Sequence, residues 1–432
     1  MHRAAIIGFL GAVACASTLA RSPDTPDTEV VVDQSDQPIR IALATAADNA
    51  KVGGSGAWRI YSKNSTNFVT RGAAGETMTI ESRGGQLVAV KTDGSTTSRH
   101  AAPFLVRSAN PDSYVMYNGK RYRGELIISP NGGGLLVVNR LGVESYLRGV
   151  VPLEIGDRKP GEEAAVEAQA VAARSYTYTH MSDTEHRGFD MYGSVQDQAY
   201  GGVDAEKPMH DAAVNSTRGM VLRYGGRVIS APYSSTCGGS TAAVSEVWWR
   251  QSDQPYLRPV SDKIPGTDSY YCDASSRFRW TSTFDAAQLK ETLEKYLGSV
   301  TNASEPPVTP NPSAPRLSLG RITSFQIQGR TASDRVAAVS IQTDRGNYVV
   351  RGNDVRFVLR TPSGGLLNST YFTAESTPDA NGAIAQLVLH GGGYGHGIGM
   401  CQFGAIGRAR AGQDYKTILT TYYPGTTVGR ID

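Results

Sequence analysis

Glu154 is the residue whose place in the sequence best suits acid catalysis. It follows the apolar run Val150-Val151-Pro152-Leu153 and precedes Ile155. Apolar surroundings destabilise a charged carboxylate and raise its pKa, which a general acid working near neutral pH requires. A glutamate that ends a strand and points into water has the same spacing, and taken alone the sequence favours that alternative.

Polar side chains elsewhere offer binding chemistry. Arg174 lies in an alanine-rich stretch whose residues are too small to cover it, so its donors can orient a carboxylate or bind a ligand. A salt bridge at the surface or at a helix end is the alternative. Residues 391–407 are glycine-dense enough to bring backbone amides close to a ligand, with His396 and Gln402 as the polar side chains. His396 suits a tight turn equally well, and its Gly-His-Gly setting is not a nucleotide-binding pattern.

Three segments, far apart in the chain, resemble the defining blocks of the sporulation stage II protein D (SpoIID/LytB) family. They comprise residues 146–154 with 168–176, residues 233–239 followed by Pro255-Tyr256-Leu257, and residues 395–405. The resemblance extends from about residue 39 to the C terminus, but these blocks carry its specificity. Their occurrence together in this order makes chance a poor explanation.

The resemblance implies that Glu154 is the catalytic acid of a peptidoglycan lytic transglycosylase. Most glycosidases need two carboxylates, and no equally convincing second one is apparent in the sequence. One acid suffices when the C6 hydroxyl of the substrate attacks the anomeric carbon, because a tethered nucleophile has a high effective molarity. Glu154 would protonate the leaving oxygen and then accept the C6 hydroxyl proton. The implied substrate is the bond between N-acetylmuramic acid and N-acetylglucosamine in strands stripped of stem peptides, and the product is a 1,6-anhydromuramic acid end.

Five residues are expected to bind the glycan. The same resemblance implies this role for Arg174, Tyr256 and Asp262, and the glycine-dense segment offers His396 and Gln402. Arg174 would orient Glu154, or bind sugar hydroxyls or a lactyl carboxylate. Tyr256 would stack on a sugar ring, although core packing is its alternative. Asp262 would accept hydrogen bonds from sugar hydroxyls. Asp268 lies close by and is the alternative match to the acidic residue of the family. For both aspartates, a place in a solvated loop is the other possibility.

Two other functions stay open. The family resemblance also implies a non-catalytic wall-binding modifier that stimulates an N-acetylmuramoyl-L-alanine amidase, although retention of Glu154 and Arg174 favours the enzyme. A purely structural wall protein is the other possibility. The 43 basic and 40 acidic residues give a net charge of +3, so a general electrostatic affinity for nucleic acid is not expected.

The N terminus predicts export. Met1-His2-Arg3 precedes an apolar run at residues 4–14 that is too short to span a bilayer stably, and small residues follow, as in a signal peptide of residues 1–20. Ala12-Val13-Ala14-Cys15 is similar to a lipoprotein signal that would attach lipid to Cys15, but it lacks the usual leucine. The alternative is ordinary cleavage after Ala14, Ala16 or Ala20. Both interpretations place the protein in the periplasm or cell envelope.

Three cysteines follow this region. In an exported protein Cys237 and Cys272 can form a disulfide, which leaves Cys401 as a lone thiol. Some members of the family carry a metal near the second block, but the histidine usual there is replaced by Ser234. Zinc held by Cys237, Cys272 and His396 is the alternative; we expect the disulfide, and no metal or other cofactor.

The helices and strands that the sequence predicts around these residues indicate an α+β fold. Residues 21–38 read as a flexible tether, residues 39–138 as a β-rich N-terminal part that is either an accessory module or part of the same fold, and residues 139–430 as the core. Within the core we expect helices over 160–180, 208–219 and 285–296, a hairpin over 221–231 around Gly225-Gly226, and strands over 320–359. Residues 301–315 hold five prolines and predict a surface insertion.

Overall fold

The computed structural model describes residues 36–63, 65–181, 187–301, 316–361 and 363–431. The predicted signal peptide, Cys15 and nearly all of the tether lie outside the described residues, as does the proline-rich insertion from residue 302 onward. The fold is α+β, as predicted. Among the described helices, none combines the length and the apolar character that crossing a membrane requires.

Two antiparallel-rich sheets form the N-terminal part. Alternating residues fill the space between them, as the period of two in segments such as residues 78–80 predicts. The strands are β1 (Pro38–Ala47), β2 (Ala50–Gly54), β3 (Trp58–Ser62), β4 (Phe68–Gly72), β5 (Thr77–Arg83), β6 (Gln86–Lys91), β7 (Phe104–Ser108), β8 (Val115–Tyr117), β9 (Lys120–Tyr122), β10 (Glu125–Asn131) and β11 (Gly134–Gly142). One sheet has the order β6-β5-β2-β8-β9. In the other, the order β1-β11-β10-β7-β3-β4 is extended beyond β1 by a short parallel strand, β12 (Met191–Tyr192).

Helices then pack on these sheets. They are α1 (Val143–Ile155), α2 (Glu163–His180) and α3 (Pro208–Ser216), with a 3₁₀ turn at Gly202–Ala205. The helices predicted over 160–180 and 208–219 are thereby confirmed, although α2 begins and α3 ends three residues inside the predicted range. Helix α1 was not predicted, because its β-branched residues and Pro152 suggest a strand; burial of its inner face outweighs that weak local preference.

The remaining elements follow in chain order. They are β13 (Met220–Tyr224), β14 (Arg227–Val228), β15 (Tyr233–Ser234), α4 (Val244–Val247), β16 (Arg279–Asp285), α5 (Ala286–Thr301), β17 (Ile322–Ile327), β18 (Ala338–Thr343), β19 (Gly346–Arg351), α6 (Asp354–Val358), β20 (Phe372–Pro378), β21 (Ile384–Gly392), β22 (Met400–Cys401), α7 (Gln402–Arg410), α8 (Tyr415–Tyr422) and β23 (Thr427–Arg430). The Gly225-Gly226 hairpin is confirmed, with both glycines at positive φ, but its second strand ends at Val228. The strands predicted over 320–359 give way to α6 near the end of that range.

Two large hydrophobic cores and one small cluster, around Leu136 and Phe189, result within the described residues. The larger core runs without interruption from the N-terminal sheets into α1, α2, α3, α7 and α8, so the β-rich part and the helices pack as one body. The second core belongs to residues 279–392, which we call the second unit; it comprises α5, α6 and two three-stranded sheets. Asp36, assigned to the tether by the sequence, is buried and accepts the backbone N–H of Glu144, so folded structure begins before the predicted end of the tether at residue 38.

Candidate active site

Glu154 lies in the last turn of α1, and its carboxylate is partly buried. The backbone N–H of Ala199 donates to its Oε1 at 2.9 Å. Gly149, one turn earlier, lets α1 approach this segment closely, because a Cβ at that position would collide with the ring of Tyr200 and the carbonyl of Gly202. The glycine contact therefore brings the 199–202 segment up to the acid.

Burial raises the pKa of Glu154 above its ordinary value, and the hydrogen bond from Ala199 opposes this only in part. The uncharged carboxyl is thus favoured by the site, as a proton donor requires. This agrees with the expectation drawn from the apolar run before Glu154.

The raised pKa also predicts how Glu154 affects stability. A folded state that holds a proton more tightly than the unfolded state loses stability as pH rises from the unfolded pKa through the folded one. We therefore expect Glu154→Gln to unfold with a free energy at least equal to that of the wild type at pH 8, with the difference vanishing below about pH 4, near the ordinary glutamate pKa. Urea titrations at a series of pH values measure this.

The exposed helical carboxylate of Glu291 supplies the control. Glu291→Gln should show no such pH-dependent gain. A Glu154→Gln protein that is less stable than the wild type at pH 8, yet equal to it at pH 4, would contradict the inferred burial effect.

Three tyrosines from different parts of the chain surround the acid. Burial raises the pKa values of Tyr146, Tyr176 and Tyr233, and the negative charge of Glu154 adds to the shift of each, so all three phenols lie near the carboxylate. Gln198 connects two of them, since its Oε1 accepts from the hydroxyl of Tyr146 and its Nε2 donates to that of Tyr233. The rings of Tyr176 and Tyr233 remain partly exposed and can contact a bound ligand.

The glycine-rich third block reaches the same place. Gln402 Nε2 donates to the backbone carbonyl of Glu154 at 3.0 Å and to Gln169 Oε1 at 3.2 Å. His396 Nε2 donates to the carbonyl of Tyr233 at 2.8 Å, while its Nδ1 accepts the N–H of Ile398. Residues from all three sequence blocks therefore meet around Glu154.

Comparisons with known proteins identify relatives of this chain. A family model described as "Stage II sporulation protein" matches residues 131–224, and a domain of unknown function matches residues 263–399. An uncharacterised protein of Brachyspira hyodysenteriae is 30% identical over 312 residues, covering 72% of this chain and 73% of that protein. The stage II sporulation protein D of Bacillus subtilis is 27% identical over 312 residues, covering 68% of this chain and 76% of the relative. The chain belongs to the SpoIID/LytB family.

The Bacillus subtilis protein named "Amidase enhancer" is a further relative. It is 32% identical over 302 residues, which cover 65% of this chain but only 40% of the relative. This SpoIID/LytB chain thus spans well under half the length of that protein. The first family model contains Glu154, and the second corresponds closely to the second unit of the fold.

Arg174 has a different environment from the one expected. Its guanidinium is fully buried and makes two hydrogen bonds to Glu144, at 2.8 and 2.7 Å, besides donating to the carbonyls of Val214 and Met220. The carboxylate that it orients is thus Glu144 and not Glu154. The neighbouring helices cover the guanidinium, although the residues just before Arg174 on its own helix are small. In this SpoIID/LytB protein Arg174 ties α1 to α2 and α3 instead of reaching a sugar.

Asp262 is likewise fully buried and does not face an open groove. Burial raises its pKa to about 6, and its carboxylate accepts hydrogen bonds from Tyr422 and Arg408. The expectation that Asp262 contacts sugar hydroxyls fails on this burial. Asp268, its possible substitute, is exposed and paired with Lys263 at 3.1 Å.

The remaining expected residues are placed as follows. Tyr256 is partly buried against the larger core, with its ring 5.5 Å from that of Tyr224. Burial lowers the pKa of His396 to about 4, so this histidine is a neutral donor to Tyr233. Gln402 and His396 thus hold the backbone around Glu154, whereas a direct contact with glycan stays a prediction for both. An open groove lined by residues that include Ala243, Asp253 and Pro259 lies beside Tyr256, and Glu154 is not among its lining residues.

The contribution of the segment Gln198-Ala199-Tyr200 was not predicted from the sequence. Its side chains and backbone contact Glu154, Tyr146 and Tyr233, but a single amide and a backbone N–H have no distinctive sequence pattern. The following Gly201-Gly202 was the only available signal, since paired glycines mark a close backbone approach.

The expected disulfide is absent from the structure. Sγ of Cys237 and Sγ of Cys272 lie 3.6 Å apart, whereas a bonded pair is separated by about 2.05 Å. Cys401, expected to be a lone thiol, lies beside them, and its Sγ accepts the backbone N–H of Cys237. His396, named with the alternative zinc site, instead uses both ring nitrogens in backbone hydrogen bonds.

Proposed function

We propose that this protein is a peptidoglycan lytic transglycosylase that uses Glu154 as its single acid and base. The observation that carries the proposal is a partly buried Glu154, with a raised pKa, at the place where all three family blocks meet. The substrate would be the bond between N-acetylmuramic acid and N-acetylglucosamine in glycan strands without stem peptides.

In this reaction Glu154 first donates a proton to the substrate and then accepts another from it. Protonated Glu154 donates to the glycosidic oxygen as the bond from C1 of the muramic acid breaks. The C6 hydroxyl of the same sugar then bonds to C1 and gives its proton to the Glu154 carboxylate, which restores the acid. Atoms balance without water, so the products are a 1,6-anhydromuramic acid end and a free hydroxyl on the leaving strand.

Asp197 is a second carboxylate whose charge acts on the tyrosines around Glu154. It accepts the N–H of Tyr192 at 2.7 Å and the hydroxyl of Tyr176 at 3.5 Å, and it contributes to the raised pKa values of Tyr146 and Tyr176. In a two-carboxylate mechanism Asp197 would activate water or form a glycosyl intermediate, and hydrolysis would leave reducing ends. In the one-acid mechanism Asp197 only supports Tyr176.

The product distinguishes these mechanisms. Purified protein is incubated with amidase-treated glycan strands, and the fragments are analysed by mass spectrometry. We expect anhydro ends from the wild type and from Asp197→Asn alike. Reducing ends, or loss of all cleavage in a folded Asp197→Asn protein, would rule out the one-acid mechanism.

A second candidate function is stimulation of a cell-wall amidase by a protein that binds the wall without cutting it. The relative named "Amidase enhancer" favours this candidate. The partner would be an N-acetylmuramoyl-L-alanine amidase, and its rate of stem-peptide release from whole peptidoglycan is the measurement. Stimulation that persists in Glu154→Gln, together with no anhydro ends from the wild type, would establish the modifier in place of the enzyme.

The proposed substrate requires export, and the N-terminal segment resembles a signal peptide. We propose cleavage of a signal peptide at residues 1–20 or lipid attachment at Cys15, followed by action in the cell envelope. The intact mass of protein isolated from membranes distinguishes a lipidated Cys15 from ordinary cleavage.

A further inference from the structure

Four potential metal ligands from four separate segments converge in the larger core. They are the thiols of Cys237, Cys272 and Cys401 and the carboxylate of Asp262, all buried, with their ligand atoms within 4.8 Å of one another. Of these residues only Cys237 belongs to the second sequence block. The set contains no histidine. The histidine that is usual beside the second block in the family is replaced here by Ser234.

Two of the distances among these atoms match those of a tetrahedral zinc site. With zinc to sulfur bonds of about 2.3 Å and zinc to oxygen bonds of about 2.1 Å, two sulfurs lie about 3.8 Å apart and a sulfur lies about 3.6 Å from an oxygen. The observed values are 3.6 Å for the Sγ atoms of Cys237 and Cys272, and 3.5 Å from Cys237 Sγ to Asp262 Oδ2.

The carboxylate of Asp262 is oriented as a metal ligand would be. Its Oδ1 accepts from the hydroxyl of Tyr422 at 2.6 Å and from Arg408 Nη2 at 3.1 Å, which leaves Oδ2 facing the thiols. Metal-binding carboxylates are typically fixed by such outer hydrogen bonds. Gly404 keeps this space open, because a Cβ there would collide with Asp262 Oδ2.

The surroundings also suit sulfur atoms that carry negative charge. Cys401 Sγ accepts two backbone N–H groups, from Cys237 at 3.2 Å and from Gly404 at 3.3 Å. Three thiolates, one carboxylate and one Zn²⁺ sum to a charge of −2. Two buried arginines supply positive charge that offsets it. Arg408 pairs with Asp262, and Arg335 donates to the carbonyl of Cys237. Among the described residues, Arg335 Nε and Nη1 have no hydrogen-bond partner, as expected if its role is electrostatic.

We propose that Cys237, Asp262, Cys272 and Cys401 bind one structural zinc ion. All four positions of the tetrahedron are filled by the protein, and the site is closed to solvent, so the ion would stabilise the fold and take no part in the reaction. It would join the second block, the segment after it and the third block at the base of the Glu154 site. Cys401 immediately precedes Gln402, whose amide holds the backbone of Glu154.

Metal analysis of the full chain, purified without chelators, tests the proposal. We expect about one zinc per chain. Replacement by Co²⁺ should give the intense visible bands and the thiolate charge-transfer absorption of a tetrahedral, sulfur-rich site. Cys401→Ser and Asp262→Ala should lower the zinc content at least tenfold at a fixed competing chelator concentration, and Asp262→Cys should restore it. Asp268→Asn, an exposed neighbour, is the matched control and should bind zinc like the wild type.

Two outcomes would overturn the proposal. One is wild-type protein without stoichiometric metal, even after refolding with zinc. The other is a disulfide-linked Cys237–Cys272 peptide from a non-reducing digest of the wild-type protein as purified, before any treatment with a chelator. Both measurements are made on the wild type, so they decide the proposal even if a variant fails to fold. Neither depends on glycan cleavage, so the transglycosylase proposal can stand or fall separately.

Discussion

Glu154→Gln is expected to lower the rate of glycan cleavage by a factor of about 10² to 10⁴, the usual contribution of a general acid and base. Glutamine keeps the size of the side chain and can still accept the N–H of Ala199 through its amide oxygen. It cannot donate a proton to the glycosidic oxygen or take one from the C6 hydroxyl. The release of anhydro ends from denuded strands measures the effect.

The stability of the Glu154→Gln protein is the control for its loss of activity. Since burial raises the pKa of Glu154, the glutamine variant should be no less stable than the wild type near neutral pH, so its inactivity would not reflect unfolding. Binding of denuded glycan should persist. Undiminished formation of anhydro ends by Glu154→Gln would remove the catalytic proposal, and the amidase modifier would then be the better candidate.

Arg174→Met is expected to destabilise the fold by about 3–5 kcal/mol, because it leaves the buried carboxylate of Glu144 without its partner. Carbonyls on α3 and at the start of β13 lose their donor as well. The free energy of unfolding from urea titrations measures this. The double variant Arg174→Met with Glu144→Leu should recover part of the loss, since no unpaired charge then remains.

An exposed ion pair provides the comparison for this prediction. Arg83 and Glu81 lie 2.8 Å apart at the surface, and Arg83→Met should cost at most about 1 kcal/mol. A cost for Arg174→Met no larger than that would contradict the inferred role of the buried pair. A folded Arg174→Lys protein with weakened glycan binding would instead support the substrate contact expected from the family resemblance.

Local sequence patterns predicted the parts of the fold that depend on neighbours in the chain. Alternation of apolar residues indicated strands such as β5 and β6, and Gly225-Gly226 indicated its hairpin, because pleat and turn geometry are local properties. Helix α1 was missed, since its β-branched residues and Pro152 disfavour a helix that only tertiary packing stabilises.

The candidate site was predictable where a residue carries its own chemistry. Glu154 was identified from its apolar neighbours and its family position, and the structure provides the burial that this expectation required. Arg174 and Asp262 were assigned to the glycan because a sequence does not reveal which distant partner covers a charge. Glu144 lies 30 residues from Arg174, and Arg408 lies 146 residues from Asp262. The same reason hid the convergence of the three cysteines.

The second unit enters and leaves the rest of the molecule through adjacent strands. Arg279 at the start of β16 is paired with Gly392 at the end of β21, so the two points are only about 5 Å apart. More than a hundred intervening residues could therefore be exchanged for a short turn with little displacement of the flanking chain, which makes this unit a natural point for length variation between homologues. Such a deletion would also remove Arg335, so a shortened homologue would need another cation beside its cysteines.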